Sequence, residues 1–235
     1  MKKNIVIKIG GSLLFSKERK IKPELFSEFC NIIKDNRNFG SIVIVCGGGN
    51  LARDYIETVR KLGKNEAFCD IIGIQISRIN SQLILACLNE YAYPEVPKSI
   101  EELSIALLFK KIVVMGGLQP GQSTTSVALE VAEYIDANNL VILTDVSGIF
   151  DKDPNKHKDA KLIKNLSYGN LQEIILKSFG DNQAAAGEYR IFDTVSLQIL
   201  KRSNIEVIVM NGKELKEFKK FWSGQKDFYG TVISK

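Results

Sequence analysis

The chain has 235 residues, 45% of them apolar and 25% charged, which is enough to bury a core without disulfide staples and too apolar for a disordered chain. Its single histidine, His157, excludes any mechanism or zinc site built on two histidines, and it lies in a polar stretch that reads as a solvated loop. Four cysteines, Cys30, Cys46, Cys69 and Cys87, form no C-x-x-C pair and sit among apolar neighbours. They read as reduced, buried thiols of a cytoplasmic protein, with no metal site. No stretch approaches the ~18 apolar residues of a membrane helix. The net charge of +5 is spread along the chain with no basic run interleaved with aromatics. Anionic small molecules are therefore the expected partners, with no nucleic acid and no membrane.

In chain order, Ile5-Val6-Ile7-Lys8-Ile9 reads as a buried strand running into the glycine turn Gly10-Gly11-Ser12. A helix follows over about 23–34, with Pro23 in its first turn and Leu25, Phe26, Phe29, Ile32 and Ile33 on one face. A second strand, residues 41–46, stops at Gly47-Gly48-Gly49, and Asn50 is placed to cap a helix that runs to about Leu62. A long apolar helical segment spans about 66–91, interrupted by Arg78 and Asn80, and its run Ile71–Ile76 reads either as core or as a subunit contact. Ser99-Ile100-Glu101-Glu102 is a capping box. The strand 112–115 ends at Gly116-Gly117, and a loop leads to a helix over about 123–137 and a strand over 140–144. A polar loop, helical stretches near 168–177 and 193–203, a strand at 206–209, a helix at about 213–222 and a strand at 231–233 complete the order.

Near-continuous apolar strands alternating with helices predict a three-layer α/β/α sandwich with a mainly parallel central sheet. Its glycine turns, at 10–11, 47–49 and 116–117, are expected to converge on one crevice at the carboxyl ends of the strands. Glycine there lets backbone approach an anion, and a helix N-terminus supplies free N–H groups. Arg53, in the first helical turn, could take a phosphate in a fork, or the pair is only a tight turn with a solvated arginine. The segment 47–52 fits G-x-G-x-x-[GA], but Asp70 lies in a helix and not at the end of the next strand, which disfavours a dehydrogenase. No G-x-x-x-x-G-K-[ST] is present.

The third turn adds the hydroxyls of Ser123, Thr124 and Thr125, although Ser123 also suits a plain helix cap. Lys8 is the one charge in an apolar strand; it points into the crevice or reaches solvent from the strand end. Asp145, ending the fourth strand, either holds that ammonium, helps place a metal-bound phosphate, or is a turn carboxylate.

Four motifs occur in order: Lys8-x-Gly10-Gly11-Ser12, Gly47-Gly48-Gly49-x-x-Ala52-Arg53, Gly116-Gly117-x-x-Pro120-Gly121-x-x-Thr124 and Thr144-Asp145-Val146-x-Gly148-Ile149-Phe150-x-x-Asp153-Pro154. Together they resemble the amino acid kinase fold family over essentially the whole chain, and within it the archaeal uridylate kinases. The resemblance implies one amino acid kinase-like domain over 1–235, with an acceptor-binding part at about 1–110 and an ATP-binding part at about 111–235. It implies transfer of the γ-phosphoryl group of ATP to UMP with Mg2+, in pyrimidine nucleotide synthesis, by a homohexamer.

By the same resemblance Gly48 and Asp70 contact UMP, and Leu118, Gln119, Pro120, Gly121, Gln122, Ser123 and Thr124 wrap its phosphate and base. Gly10, Gly11, Ser12, Gly49 and Arg53 line the ATP phosphates, while Thr144, Asp145, Phe150 and Asp153 border its ribose and adenine. Lys8, with Arg53 and Asp145, serves the transferring group. The chain departs from the pattern at Asp145, where many relatives carry Asn, and at Thr194, where they usually carry Pro. A same-fold kinase of another small anion, or an inactive nucleotide-binding sensor, are the alternative readings.

Overall fold

The computed structural model describes residues 2–16, 18–35, 38–152, 157–179 and 191–235. β1 (Lys3–Ile9) leads through a 3-10 turn at Gly11–Leu14 to α1 (Pro23–Lys34) and β2 (Phe39–Cys46). Next come α2 (Gly49–Lys61), α3 (Glu66–Leu88), α4 (Ile100–Leu107) and β3 (Val113–Met115). α5 (Thr124–Tyr134), β4 (Ala137–Thr144), β5 (Asn165–Ser167) and α6 (Tyr168–Phe179) follow. The chain continues with α7 (Thr194–Arg202), β6 (Glu206–Asn211), α8 (Lys216–Trp222) and β7 (Thr231–Ser234).

These strands form one seven-stranded sheet in the order β3-β2-β1-β4-β6-β7-β5. Every pairing is parallel except β6 with β7. Period-two alternation sorts the side chains into two cores. Ile5, Ile7 and Ile9 of β1 meet Phe26 and Phe29 of α1, Ile84 and Leu88 of α3, and Phe218 and Trp222 of α8. Val6, with Val43, Val45, Leu140 and Ile142, packs on the other face under Leu103 of α4, Val127 and Val131 of α5, and Leu197 and Leu200 of α7. Helices therefore cover both faces, and the three-layer sandwich with a mainly parallel sheet is as expected. α2 is an outer helix, held to α3 through Ala52, Ile56, Cys69 and Ile76.

Several local expectations change. Asn50 is not a cap: α2 starts at Gly49, Gly48 takes the cap position, and no side chain caps it. Ser99 does cap α4 by accepting from Glu102 N, but the Glu102 carboxylate takes the N–H of Lys98 instead of closing the box on Ser99. β5 was not foreseen, because a three-residue strand is too short to show a period. The long α3 segment, Glu66–Tyr91, is by length and composition apolar enough to cross a membrane, contrary to expectation. Its Ser77, Asn80 and Ser81 are buried against neighbouring turns, which marks it as a helix of this fold.

At the amino-terminal edge of the sheet, a cavity of about 610 Å³ is lined by Lys2, Lys34, Lys110 and Lys111. Lys34 is in the last turn of α1, Lys110 and Lys111 follow α4, and cations there complement the negative ends of helix dipoles. The Lys34 ammonium donates to the Cys87 carbonyl near the end of α3 at 3.0 Å.

On the opposite, carboxyl-terminal side, Asp193 ties two helices together. Only 2% exposed, it caps α7 by accepting from Ser196 N and accepts the Ser126 hydroxyl of α5 at 2.8 Å. Replacing Asp193 with Ala removes a cap and a charge-assisted bond together. We expect a loss of roughly 2–4 kcal/mol in urea unfolding; a loss below about 0.5 kcal/mol, the range of ordinary surface changes, contradicts this account.

Candidate active site

The ladder continues past the strand ends: Gly10 N donates to Leu143 O at 2.8 Å and Gly47 N to Ile9 O at 2.9 Å. The turns after β1 and β2 are thereby pressed together. A Cβ on Gly11 would lie 2.3 Å from both Gly47 O and Gly49 N, so no other residue fits. Gly48 is right-handed (φ −76°, ψ −30°) and Gly49 has φ +69°. Such a right-left pair turns the N–H groups of Gly48, Gly49 and Asn50 to one side, forming a concavity of a shape suited to an anion. These three N–H groups precede or open α2, where no intrahelical acceptor exists. Arg53 stands half-buried one turn further along α2, slightly deeper in the helix than expected.

Lys8 shares the face of Val6 and pairs in register with Val45 of β2 and Ile142 of β4, whose side chains belong to the same core. Only 8% of it is exposed. Burial pulls its ammonium down from the ordinary 10.5 to about 8, against the opposing pull of the Asp145 carboxylate. At that exposure Lys8 does not reach solvent from the strand end.

The third turn behaves differently from expectation. Gly116 and Gly117 are not open to an anion: they lie under α3, and the Gly117 N–H is taken by Ser77 Oγ at 2.7 Å. A Cβ on Gly116 would come within 2.7 Å of Arg78 N, so these glycines serve the close approach of a helix. The hydroxyl end of this turn does converge, since a Cβ on Gly47 would meet Thr124 Oγ1 at 3.4 Å. Ser123 is the N-cap of α5, accepting from Ser126 N at 3.1 Å. Gln119 and Pro120 are exposed, Leu118 is half-buried, and Gln122 donates to Glu130 at 3.0 Å.

Asp70, on α3, accepts the Gly121 N–H at 2.8 Å, which brings that carboxylate and the 118–122 loop together. Sequence reasoning missed the rest of this α3 face. Arg78 Nε donates to Gly117 O at 3.0 Å and Arg78 Nη2 to Leu118 O at 3.2 Å. Ser81 donates to Met115 O at 2.7 Å, and Asn80 Nδ2 to Gly47 O and Gly48 O at 2.8 and 3.2 Å. Polar residues at 77, 80 and 81 of an apolar helix were the available signal.

At the far end of the crevice, Thr144 donates to Asp145 Oδ1 at 3.3 Å. The Asp145 carbonyl accepts from the Lys213 ammonium at 3.1 Å, a cation the motifs did not include. Phe150 is half-buried in a segment pinned to β7 by Ile149 N donating to Thr231 Oγ1 at 2.8 Å. Asp153 lies outside the described residues. His157 is an exposed loop residue, and burial pushes the Cys46 thiol up to about 12, so neither offers a nucleophile.

The sequence profile of the amino acid kinase family matches residues 3–211. This chain belongs to the amino acid kinase family. A protein named uridylate kinase from Methanobrevibacter smithii is 43% identical over 232 residues, covering 98% of this chain and 99% of its own. Another so named, from Sulfolobus acidocaldarius, is 40% identical over 230 residues, covering 97% and 98%. The crystal structure of uridylate kinase from Archaeoglobus fulgidus matches with a TM-score of 0.82 and 33% identity, over 98% of this chain and 100% of that one.

For this family member the buried lysine sets a pH dependence. Below pH 8 Lys8 is charged in both folded and unfolded chains and carries its full desolvation cost. Between about 8 and 10.5 the folded chain has lost the proton that the unfolded chain keeps, so stability rises with pH through that window. Replacing Lys8 with Met is expected to stabilise the ligand-free protein at pH 7 by roughly 3 kcal/mol, a gain that should shrink through that window as the pH rises past 10.5. Equal stability at pH 7 in calorimetry contradicts the burial of a charged Lys8.

Proposed function

We propose that the protein is a UMP kinase, transferring the γ-phosphoryl group of ATP to UMP to give UDP and ADP in pyrimidine nucleotide synthesis. The observation that carries this reading is its near-full-length likeness to archaeal uridylate kinases, joined to a crevice where the glycine concavity, Lys8 and Asp70 share one sheet edge. A UMP phosphate oxygen attacks the γ-phosphorus, and the bond to the β,γ-bridging oxygen breaks, leaving that electron pair on ADP. Catalysis of this transfer rests on alignment and charge, not on a covalent intermediate.

Gly48, Asp70 and the loop from Leu118 to Thr124 bind the acceptor; the Asp70–Gly121 bond supports that assignment by holding loop and carboxylate together. Gly10, Gly11, Ser12, Gly49 and Arg53 border the ATP phosphates, and Thr144, Asp145, Phe150 and Asp153 its nucleoside. Lys8 supplies the charge for the transferring group. Residues 1–110 and 111–235 are then acceptor and ATP halves of one sheet, with residues 118–124 reaching across. Among the described residues no cluster of three His, Cys, Asp or Glu forms a dedicated metal cage. Mg2+ carried on ATP phosphates needs only one or two carboxylates, and Asp145 fits that part.

The four thiols are unpaired, in keeping with a cytoplasmic enzyme. We also propose a homohexamer, with Phe68, Ile71 and Ile79 on the outer face of α3 at a subunit contact, because all three are exposed. Light scattering should then give about six times the 26.2 kDa chain mass, and a monomer at micromolar concentration rejects that assembly.

A coupled assay with ATP, Mg2+ and each nucleoside monophosphate tests the activity. UMP should be the preferred acceptor, and a better non-nucleotide acceptor sinks the reading. Asp70→Ala should raise KM for UMP by at least roughly tenfold with little change in KM for ATP, as loss of a uniform binding contact predicts.

A further inference from the structure

We propose that Asn80 is a positioning residue for phosphoryl transfer, acting by aiming the backbone N–H groups of Gly48 and Gly49. The inference rests on the kinase reading above. Asn80 is 1% exposed within α3, and its Nδ2 alone donates to the carbonyl oxygens of Gly47 and Gly48. No peptide among the described residues is cis, and a trans peptide holds its N–H opposite its C=O. Pinning the Gly47 carbonyl to α3 therefore turns the Gly48 N–H away from α3. Pinning the Gly48 carbonyl does the same for Gly49. One side-chain amide thus bears on two successive donors of a glycine turn; the Gly48 carbonyl also accepts the Ala52 N–H at 3.4 Å, whereas for the Gly47 carbonyl Asn80 is the donor found among the described residues.

The energetics separate this role from simple packing. Asn80 Oδ1 is buried with no hydrogen-bond partner, which is an unfavourable arrangement that an apolar residue would avoid. The amide orientation is set by chemistry, because the flipped form would point Oδ1 at two carbonyl oxygens. A carboxyl group would face the same two oxygens, so Asn80→Asp keeps the shape and leaves at most one donation, from the protonated acid, while Asn80→Ala removes both. The ties from α3 to the third turn run through Ser77, Arg78 and Ser81 and stay intact in such a variant.

The wild-type enzyme is assayed first with ATP, Mg2+ and UMP; absence of turnover removes the kinase reading and this proposal with it. With wild-type turnover established, Asn80→Asp and Asn80→Ala should each lower kcat roughly 10- to 100-fold, as misaimed oxyanion donors do. KM for UMP and for ATP should stay within about threefold, because the loss falls in the transition state. An unchanged kcat, or a raised KM at constant kcat, overturns the proposal while leaving the kinase reading standing. If neither variant folds, selectively 15N-labelled wild type decides. Adding ADP, UMP, Mg2+ and aluminium fluoride should shift the Gly48 and Gly49 amide resonances, and the Asn80 side-chain amide should exchange slowly with solvent. Unmoved glycine resonances, or a fast-exchanging Asn80 amide, overturn it.

Discussion

Gly11 and the Gly47–Gly49 turn meet so closely that a single methyl group at Gly11 would overlap backbone atoms on the other side. That contact requires β1 and β2 to lie side by side and in register, which the five pairs from Ile5–Ile42 to Ile9–Cys46 provide. It also requires a backbone that no side chain can prop apart, so the N–H groups of the second turn come to lie beside the first. The anion concavity is in this sense a product of strand pairing. Nothing in the turns would hold it without the sheet beneath.

α3 is the second element of that arrangement. One edge of the helix carries Asp70, Ser77, Arg78, Asn80 and Ser81, and each bonds to backbone of a neighbouring turn or loop. A long, regular helix is a stiff ruler, so the 118–122 loop and the glycine concavity keep a fixed spacing along it. Lys8 enters from beneath with a charge that burial disfavours. The ligand-free protein therefore carries an electrostatic cost that an anion at the proposed site would relieve, a common trade between stability and function.

The sheet was largely legible because buried parallel strands are apolar on both faces and cannot be mistaken for solvated segments. The limits lay where a local pattern is silent. β5 depends on a partner far along the chain, and the polar start of β4 at Ala137–Asn139 is a strand only because β1 and β6 pair with it. Asn50 looked like a cap, but the left-handed Gly49 starts the helix two residues sooner. The glycine turns were correctly placed, but the glycines of the third do not face an anion: Gly117 spends its N–H on Ser77, a fact invisible without α3 in place. Asn80 read as an interruption because its purpose lies in the carbonyls it faces, more than 30 positions earlier.

The strand order has a consequence for how the molecule is made. β7 sits between β6 and β5, so β5 has no partner until residues 231–234 have left the ribosome. The same strand supplies Thr231, which pins the segment bearing Phe150. The edge formed by β3, β2, β1 and β4 can be complete long before, with its glycine concavity in place. A nascent chain would thus hold the glycine concavity ready while the other side of the sheet still waits for its last strand. Ribosome stalling or truncation upstream of that strand would leave β5 and β6 with exposed edges at which nascent chains can aggregate.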